Sequence, residues 1–250
     1  MNDNGSPLRG RIALVTGASR GIGYESALAL AKAGAHVIAT ARTQGGLEEL
    51  DDAIRGATGE RATLVPLDLA EGDGIDHLGA ALNDRFGRLD ILLHAGAMLG
   101  NLTPVAHLDP KLWDRVVAVD LTAAYRLIRS FEPLLRESDE PRAIFLTSSV
   151  AVRPRAFFSA YAATKAGLEA LVRCWADEVE STGIRAVIVD PGRMRTRMRA
   201  EAYPGEDPIN LPHPREIGPM LVELAHGPRG LPSATLTFSG WSAGRSAVPS

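Results

Sequence analysis

The stretch Thr16-Gly17-Ala18-Ser19-Arg20-Gly21-Ile22-Gly23 constrains this chain more than any other. The apolar run Ile12, Ala13, Leu14, Val15 comes before it, and Ala27, Leu28, Leu30 and Ala31 recur after it at helical spacing. A hydrophobic pattern that changes from strand to helix across a few glycines leaves little room for anything but a strand turning sharply into a helix. Glycine permits the tight turn, lets backbone approach a pyrophosphate without a Cβ in the way, and allows the helix to lie close to its strand. The free N–H groups and positive dipole end of such a helix favour an anion. The segment is predicted to be a phosphate cradle on the first strand of an alternating chain.

The alternation continues. Short β-branched or leucine-rich runs at 12–16, 36–40, 63–67, 89–93, 143–148, 185–189 and 234–238 read as strands, with helical patterns between them. That order implies parallel strands joined by crossover helices: an α/β fold, a Rossmann-type doubly wound sheet of about seven parallel strands with helices on both faces. Asp109-Pro110 is a cap and first-turn pair for a helix to about residue 131, and Pro214 opens one to about residue 225. A single dinucleotide-binding domain is expected over 8–240, with 1–7 and 241–250 as flexible tails.

Bulk properties narrow the function. With 45% apolar residues and a net charge of −3, the 250-residue chain has the balance of an ordinary globular protein and no basic excess for nucleic acid. The one cysteine, Cys174, cannot pair within the chain. No run has the length and apolarity of a membrane span or a leader peptide, so a cytoplasmic location without membrane partners is expected. No metal site is expected either.

In a doubly wound sheet ligands sit beyond the carboxyl ends of the strands, where the winding reverses. After the second strand, where a carboxylate would hold the ribose 2′-hydroxyl of NAD, the sequence has Thr40, Ala41 and Arg42. Arg42, joined by Arg20 in the turn, suits a 2′-phosphate, since guanidinium matches phosphate bidentately. NADP is therefore favoured over NAD, which stays possible; the plainer reading makes both arginines solvated surface groups. Asp68 follows the third strand and could equally be a helix cap. His94 ends the fourth, where a histidine is more often structural than catalytic.

The three-residue gap between Gly17 and Gly21 resembles the Thr-Gly-x-x-x-Gly-Ile-Gly motif of the short-chain dehydrogenase/reductase family. Further matches come in order: Ser148 thirteen residues before Tyr161, Tyr161 and Lys165 four apart, then Pro191-Gly192 with Thr196. Each piece is weak and the joint match over about residues 8–240 is specific. The resemblance implies hydride transfer between NADP(H) and a small carbonyl or alcohol. Tyr161 would exchange the proton, Ser148, preferred to Ser149, would hold the substrate oxygen, and Lys165 would lower the tyrosine pKa and grip the nicotinamide ribose. It implies cofactor contacts at Gly17, Ser19, Arg20, Gly21, Ile22, Gly23, Arg42, Asp68, Leu69, Ala95, Gly96, Tyr161, Lys165, Pro191, Gly192 and Thr196, and a homodimer or homotetramer.

Two departures stand out. The chain has His94-Ala95-Gly96-Ala97 where the family usually has Asn-Asn-Ala-Gly, and Asp120 where it has the asparagine of its catalytic set. They keep open a nucleotide-binding protein with weak or no catalysis, whereas an extended-type epimerase would need a larger C-terminal substrate domain. Segment 197–208 lies where the family keeps its variable substrate lid. The alternating Arg193, Arg195, Arg197 and Arg199 could meet an acidic substrate or simply be solvated.

Overall fold

In the computed structural model, which describes residues 6–227 and 235–246, β1 (Ile12–Thr16) lies within a seven-stranded sheet. Its neighbours are β2 (His36–Ala41), followed outward by β3 (Thr63–Pro66), and on the other side β4 (Ile91–His94). Beyond β4 come β5 (Arg142–Leu146), β6 (Arg185–Asp190) and the two-residue β7 (Leu236–Thr237). Every pairing is parallel. The chain winds outward from β1 to β3 and then crosses back to β4, so the reversal falls between the carboxyl ends of β1 and β4.

Helices α1 (Gly21–Lys32), α2 (Gln44–Thr58) and α3 (Gly72–Phe86) follow the first three strands. Between β4 and β5 run α4 (Pro110–Val117), a π-helical step at Ala118–Thr122, and α5 (Ala123–Arg136). Helix α6 (Ser159–Glu178) precedes β6; α7 (Arg197–Ala202), α8 (Gly218–His226) and α9 (Phe238–Ser246) complete the chain.

The side-chain period of two distributes each strand between two cores. Ala13, Val15, Ile91, Leu93 and Ile144 pack beneath α1, α2 and α8 with Leu30, Leu47 and Leu221. Ile12, Leu14, Leu92, Ala143 and Phe145 face α3, α5 and α6 with Leu78, Leu127, Phe131 and Leu168. Burial on both sides is why the strands read as unbroken apolar runs rather than alternating ones.

Several boundaries differ from the sequence reading. Strand β5 ends at Leu146, so Ser148 stands just past the strand, extended, as the cap of a short 3₁₀ turn. The helix opened by Asp109, whose carboxylate accepts the Lys111 N–H at 2.9 Å, continues to Arg136 through the π step, beyond the expected residue 131. Of the seventh strand, Ala234 lies outside the described residues and Phe238 already belongs to α9. The expected tail past Gly240 is helical to Ser246: Trp241 stacks on Phe238 and donates to Glu223.

Candidate active site

A cleft of about 440 Å³ opens at the β1–β4 reversal. The glycine turn forms its floor. Gly17 and Gly21 have φ of +67° and +60°, conformations that tax any residue with a Cβ. A Cβ on Gly17 would stand 2.6 Å from the Gly96 Cα, and one on Gly23 would stand 2.2 Å from the Gly17 carbonyl oxygen. The glycines thus serve the close approach of the turn to β4 and of α1 to the turn. Arg20 at the N-cap of α1 offers no side-chain cap, and no acid lies in the helix's first turn. With no side chain capping them, the first α1 amides are open to an anion, as the dinucleotide expected from the sequence would require.

Ser19, Arg20, Ile22 and Arg42 line the same end of the cleft, and neither arginine is held in an ion pair among the described residues. Asp68 and Leu69 form the adjoining wall. Asp68 is doubly engaged: it accepts the Ala70 N–H at 3.0 Å and pairs with Arg115 at 2.6 Å. Burial alone would raise its pKa, but that amide and guanidinium outweigh it and hold the carboxyl below its ordinary value.

Ala95 and Gly96 are fixed by a residue the sequence reading did not single out. The Thr16 hydroxyl accepts both of their N–H groups at 3.2 Å and lies 2.8 Å from His94 Nδ1. With its lone pairs so used, the hydroxyl donates to Nδ1, which places the histidine proton on Nε2. His94 is 1% exposed, and burial, with Lys165 nearby, lowers its pKa to about 3. It is a neutral structural link between β1 and β4. The signal was present as a threonine ending one strand and a histidine ending another; only the register Thr16↔His94 joins them.

Tyr161 and Lys165 lie along the opposite wall, one turn apart on α6. Ser148 is outside the lining but its side chain hydrogen-bonds Tyr161. Lys165 Nζ donates to the Leu146 carbonyl at 3.0 Å and sits 5.7 Å from the Tyr161 ring centre. Asp120 lies behind them, in the π step, fully buried, its Oδ1 accepting the Met98 N–H at 2.8 Å.

The electrostatics correct one expectation. The lysine was expected to bring the phenol's pKa down; instead burial pushes Tyr161 above its ordinary value, Asp120 and Asp190 add to this, and the Ser148 hydrogen bond only offsets part. Lys165 is itself lowered by burial, with Asp120 pulling it back up. Burial raises Asp120 to about 6 against the pull of Lys165. A cation set beside a buried carboxylate exerts little net field on the phenol.

Pro191 and Thr196 close the cleft from β6. Gly192 is not in the lining; its N–H caps Asp190 at 2.9 Å. Thr196, expected at the nicotinamide carboxamide, uses its oxygen to accept the Arg199 N–H and begin α7. Four buried apolar residues missing from the sequence reading, Leu99, Val150, Phe158 and Ala162, cluster beside Tyr161. They come from the loop after β4, the β5–α6 connection and α6 itself, so no local pattern marks them. Among the described residues no group of acidic, histidine or cysteine side chains could hold a metal ion, and no helix is long and apolar enough to cross a membrane.

Residues 11–207 match the sequence model of the short chain dehydrogenase family. The chain is 36% identical over 219 residues to the oxidoreductase YciK of Escherichia coli, covering 87% of this chain and 86% of that one. A short chain dehydrogenase of Shigella flexneri, solved with NADP, superposes with a TM-score of 0.89 at 34% identity, covering 93% of this chain and 98% of the other. One from Escherichia coli CFT073, solved with NADPH, gives 0.89 at 35% identity with the same coverages.

Proposed function

The chain belongs to the short-chain dehydrogenase family of oxidoreductases, and from that premise we propose that it is an NADP-dependent carbonyl reductase working through Ser148, Tyr161 and Lys165. The observation that carries this reading is the pairing of two ends in one cleft. One end is a glycine turn with an uncapped helix and two arginines that form no ion pair among the described residues; the other is the Tyr161 phenol above Lys165. The relatives solved with NADP and NADPH support the choice of cofactor.

On this reading Gly17, Ser19, Gly21, Ile22 and Gly23 hold the pyrophosphate against the α1 amides, and Arg20 and Arg42 meet the 2′-phosphate. Asp68 and Leu69 bound the adenine; Ala95, Gly96, Pro191, Gly192 and Thr196 flank the nicotinamide half. When bound, the dinucleotide supplies the hydride that the carbonyl carbon takes up. Ser148 donates to the carbonyl oxygen and orients it. Tyr161 gives that oxygen its proton as the new alkoxide forms, and Lys165 keeps ribose and phenol in place. The raised phenol pKa keeps Tyr161 in the acid form that reduction consumes.

Tyr161→Phe tests the reading. Carbonyl-dependent NADPH oxidation should fall by at least about a hundredfold, the ordinary contribution of a positioned acid, while NADPH affinity by fluorescence stays within a few fold. Retention of most activity would exclude the tyrosine mechanism. Tight NADPH binding with no turnover of any carbonyl by the wild type would favour a binding protein instead.

A further inference from the structure

Beyond Tyr161 the cleft changes character. Leu99, Val150, Phe158 and Ala162 form a small core separate from the two that flank the sheet, and Leu102, Met198 and Ala202 pack against it. Leu99 and Met198 also face the cleft. Charge at this end is sparse and self-satisfied. Of the described lining residues, Arg20 and Arg42 stand at the glycine turn and the β2 end, Asp68 past β3 is paired with Arg115, and the Lys165 ammonium is bonded to the Leu146 carbonyl. That leaves Arg197 and Glu201, one turn apart on α7, whose Nε and Oε1 are 2.8 Å apart.

The remaining arginines of the run are occupied too. Arg199 grips Glu206 through two nitrogens, Arg193 reaches the same carboxylate at 3.8 Å, and Arg195 points to the carbonyls of Ile209 and Leu211. Arg199 further lies over the Tyr203 ring, 3.7 Å from its centre, and Tyr203 stacks on Phe158. These contacts brace segment 193–211 internally, Tyr203 on Phe158 joins it to the body of the protein, and each of the four arginines is already engaged with a carboxylate or with carbonyl oxygens.

We propose that the site, on the reductase reading above, takes an uncharged carbonyl compound with apolar substituents, and that Glu201 excludes anionic substrates by cancelling Arg197. A carboxylate placed against Leu99 and Met198 would lose water without gaining a hydrogen bond. The cation at this end, Arg197, already spends its Nε on Glu201, whose own carboxylate repels a second one. Removing the Glu201 charge leaves Arg197 free for bidentate capture.

Calorimetric titration of the full chain with NADP⁺ present separates the alternatives, using two ketones of nearly one shape, 4-methylacetophenone and 4-acetylbenzoate. The wild type should bind the neutral ketone at least about tenfold more tightly. Glu201→Gln should narrow that ratio by roughly fivefold, the scale of one unit charge a few ångströms away in a wet site. Arg197→Gln combined with Glu201→Gln should restore the neutral preference. Both positions are exposed, so neither change opens a cavity. Equal or tighter binding of the benzoate by the wild type, an unchanged ratio in Glu201→Gln, or no binding of the neutral ketone would overturn the proposal. Because the readout is binding, selective binding without Tyr161-dependent turnover would sink the reductase reading alone.

Discussion

Asp120 has two oxygens with different surroundings. Oδ1 accepts the Met98 N–H, while Oδ2 meets no donor among the described residues and faces the field of Lys165. With its pKa raised to about 6, the carboxyl is ionised at neutral pH and protonated in mild acid. Once ionised it opposes phenolate formation on Tyr161, whose pKa it raises. An asparagine in its place would keep an acceptor for Met98 and remove the charge, so the phenol would ionise at lower pH. Asp120→Asn should therefore shift the alkaline rise of kcat/KM for alcohol oxidation to lower pH and increase the rate near neutrality. Reduction, which needs the phenol, should lose rate at lower pH than in the wild type. Superimposable pH profiles for the two proteins would show that Asp120 is uncoupled from the proton step. The residue itself was legible as a departure; its isolation was not, because only the π step turns it into the interior.

At the scale of elements, β1, its glycine turn and α1 were readable outright. A strand buried on both sides, three glycines and a helical repeat are adjacent in sequence, so the pattern that marks them is local even though the ladder bonds of β1 reach β2 and β4. The loop after β2 carries a testable consequence. Arg42 is exposed at the cleft and no carboxylate follows β2 in the chain, so Arg42→Asp should weaken NADPH and improve NADH, reversing their order in a fluorescence titration. A wild type that already prefers NADH would refute the 2′-phosphate assignment. The segment from Pro110 shows where local reading runs out. Its cap and amphipathic repeat predict a helix, but the extra residue in the π step goes with tertiary packing against α6, which no helical periodicity records.

For the molecule as a whole, His94 links folding to pH. Its folded pKa of about 3 lies below the ordinary histidine value, so the unfolded chain binds the proton more tightly. Stability from this group is complete above about pH 6.5 and is lost as pH falls below it. In urea unfolding, the stability of the wild type relative to His94→Asn should decline by about 1.4 kcal/mol per pH unit between roughly pH 6 and 4. A difference independent of pH would mean that the imidazole is accessible or charged in the fold. Association belongs to this scale too. The outer face of α4 and α5 exposes Trp113 and Tyr125, and that of α6 carries Ala163, Ala166, Ala170 and Cys174. A dimer or tetramer is expected by light scattering at micromolar concentration, and a monomer there would contradict it.

The sequence alone determined the class of fold, the order of strands and helices, the glycine turn and the Tyr161–Lys165 pair. Each of these rests on periodicities or spacings within about twenty residues, where chain geometry leaves few choices. Tertiary structure decided the rest. It joined Thr16 to His94 across parallel strands, buried Asp120 behind Lys165 and turned the phenol's pKa upward. Those outcomes depend on burial and on which charges share a low-dielectric space, and distance along the chain carries no information about either.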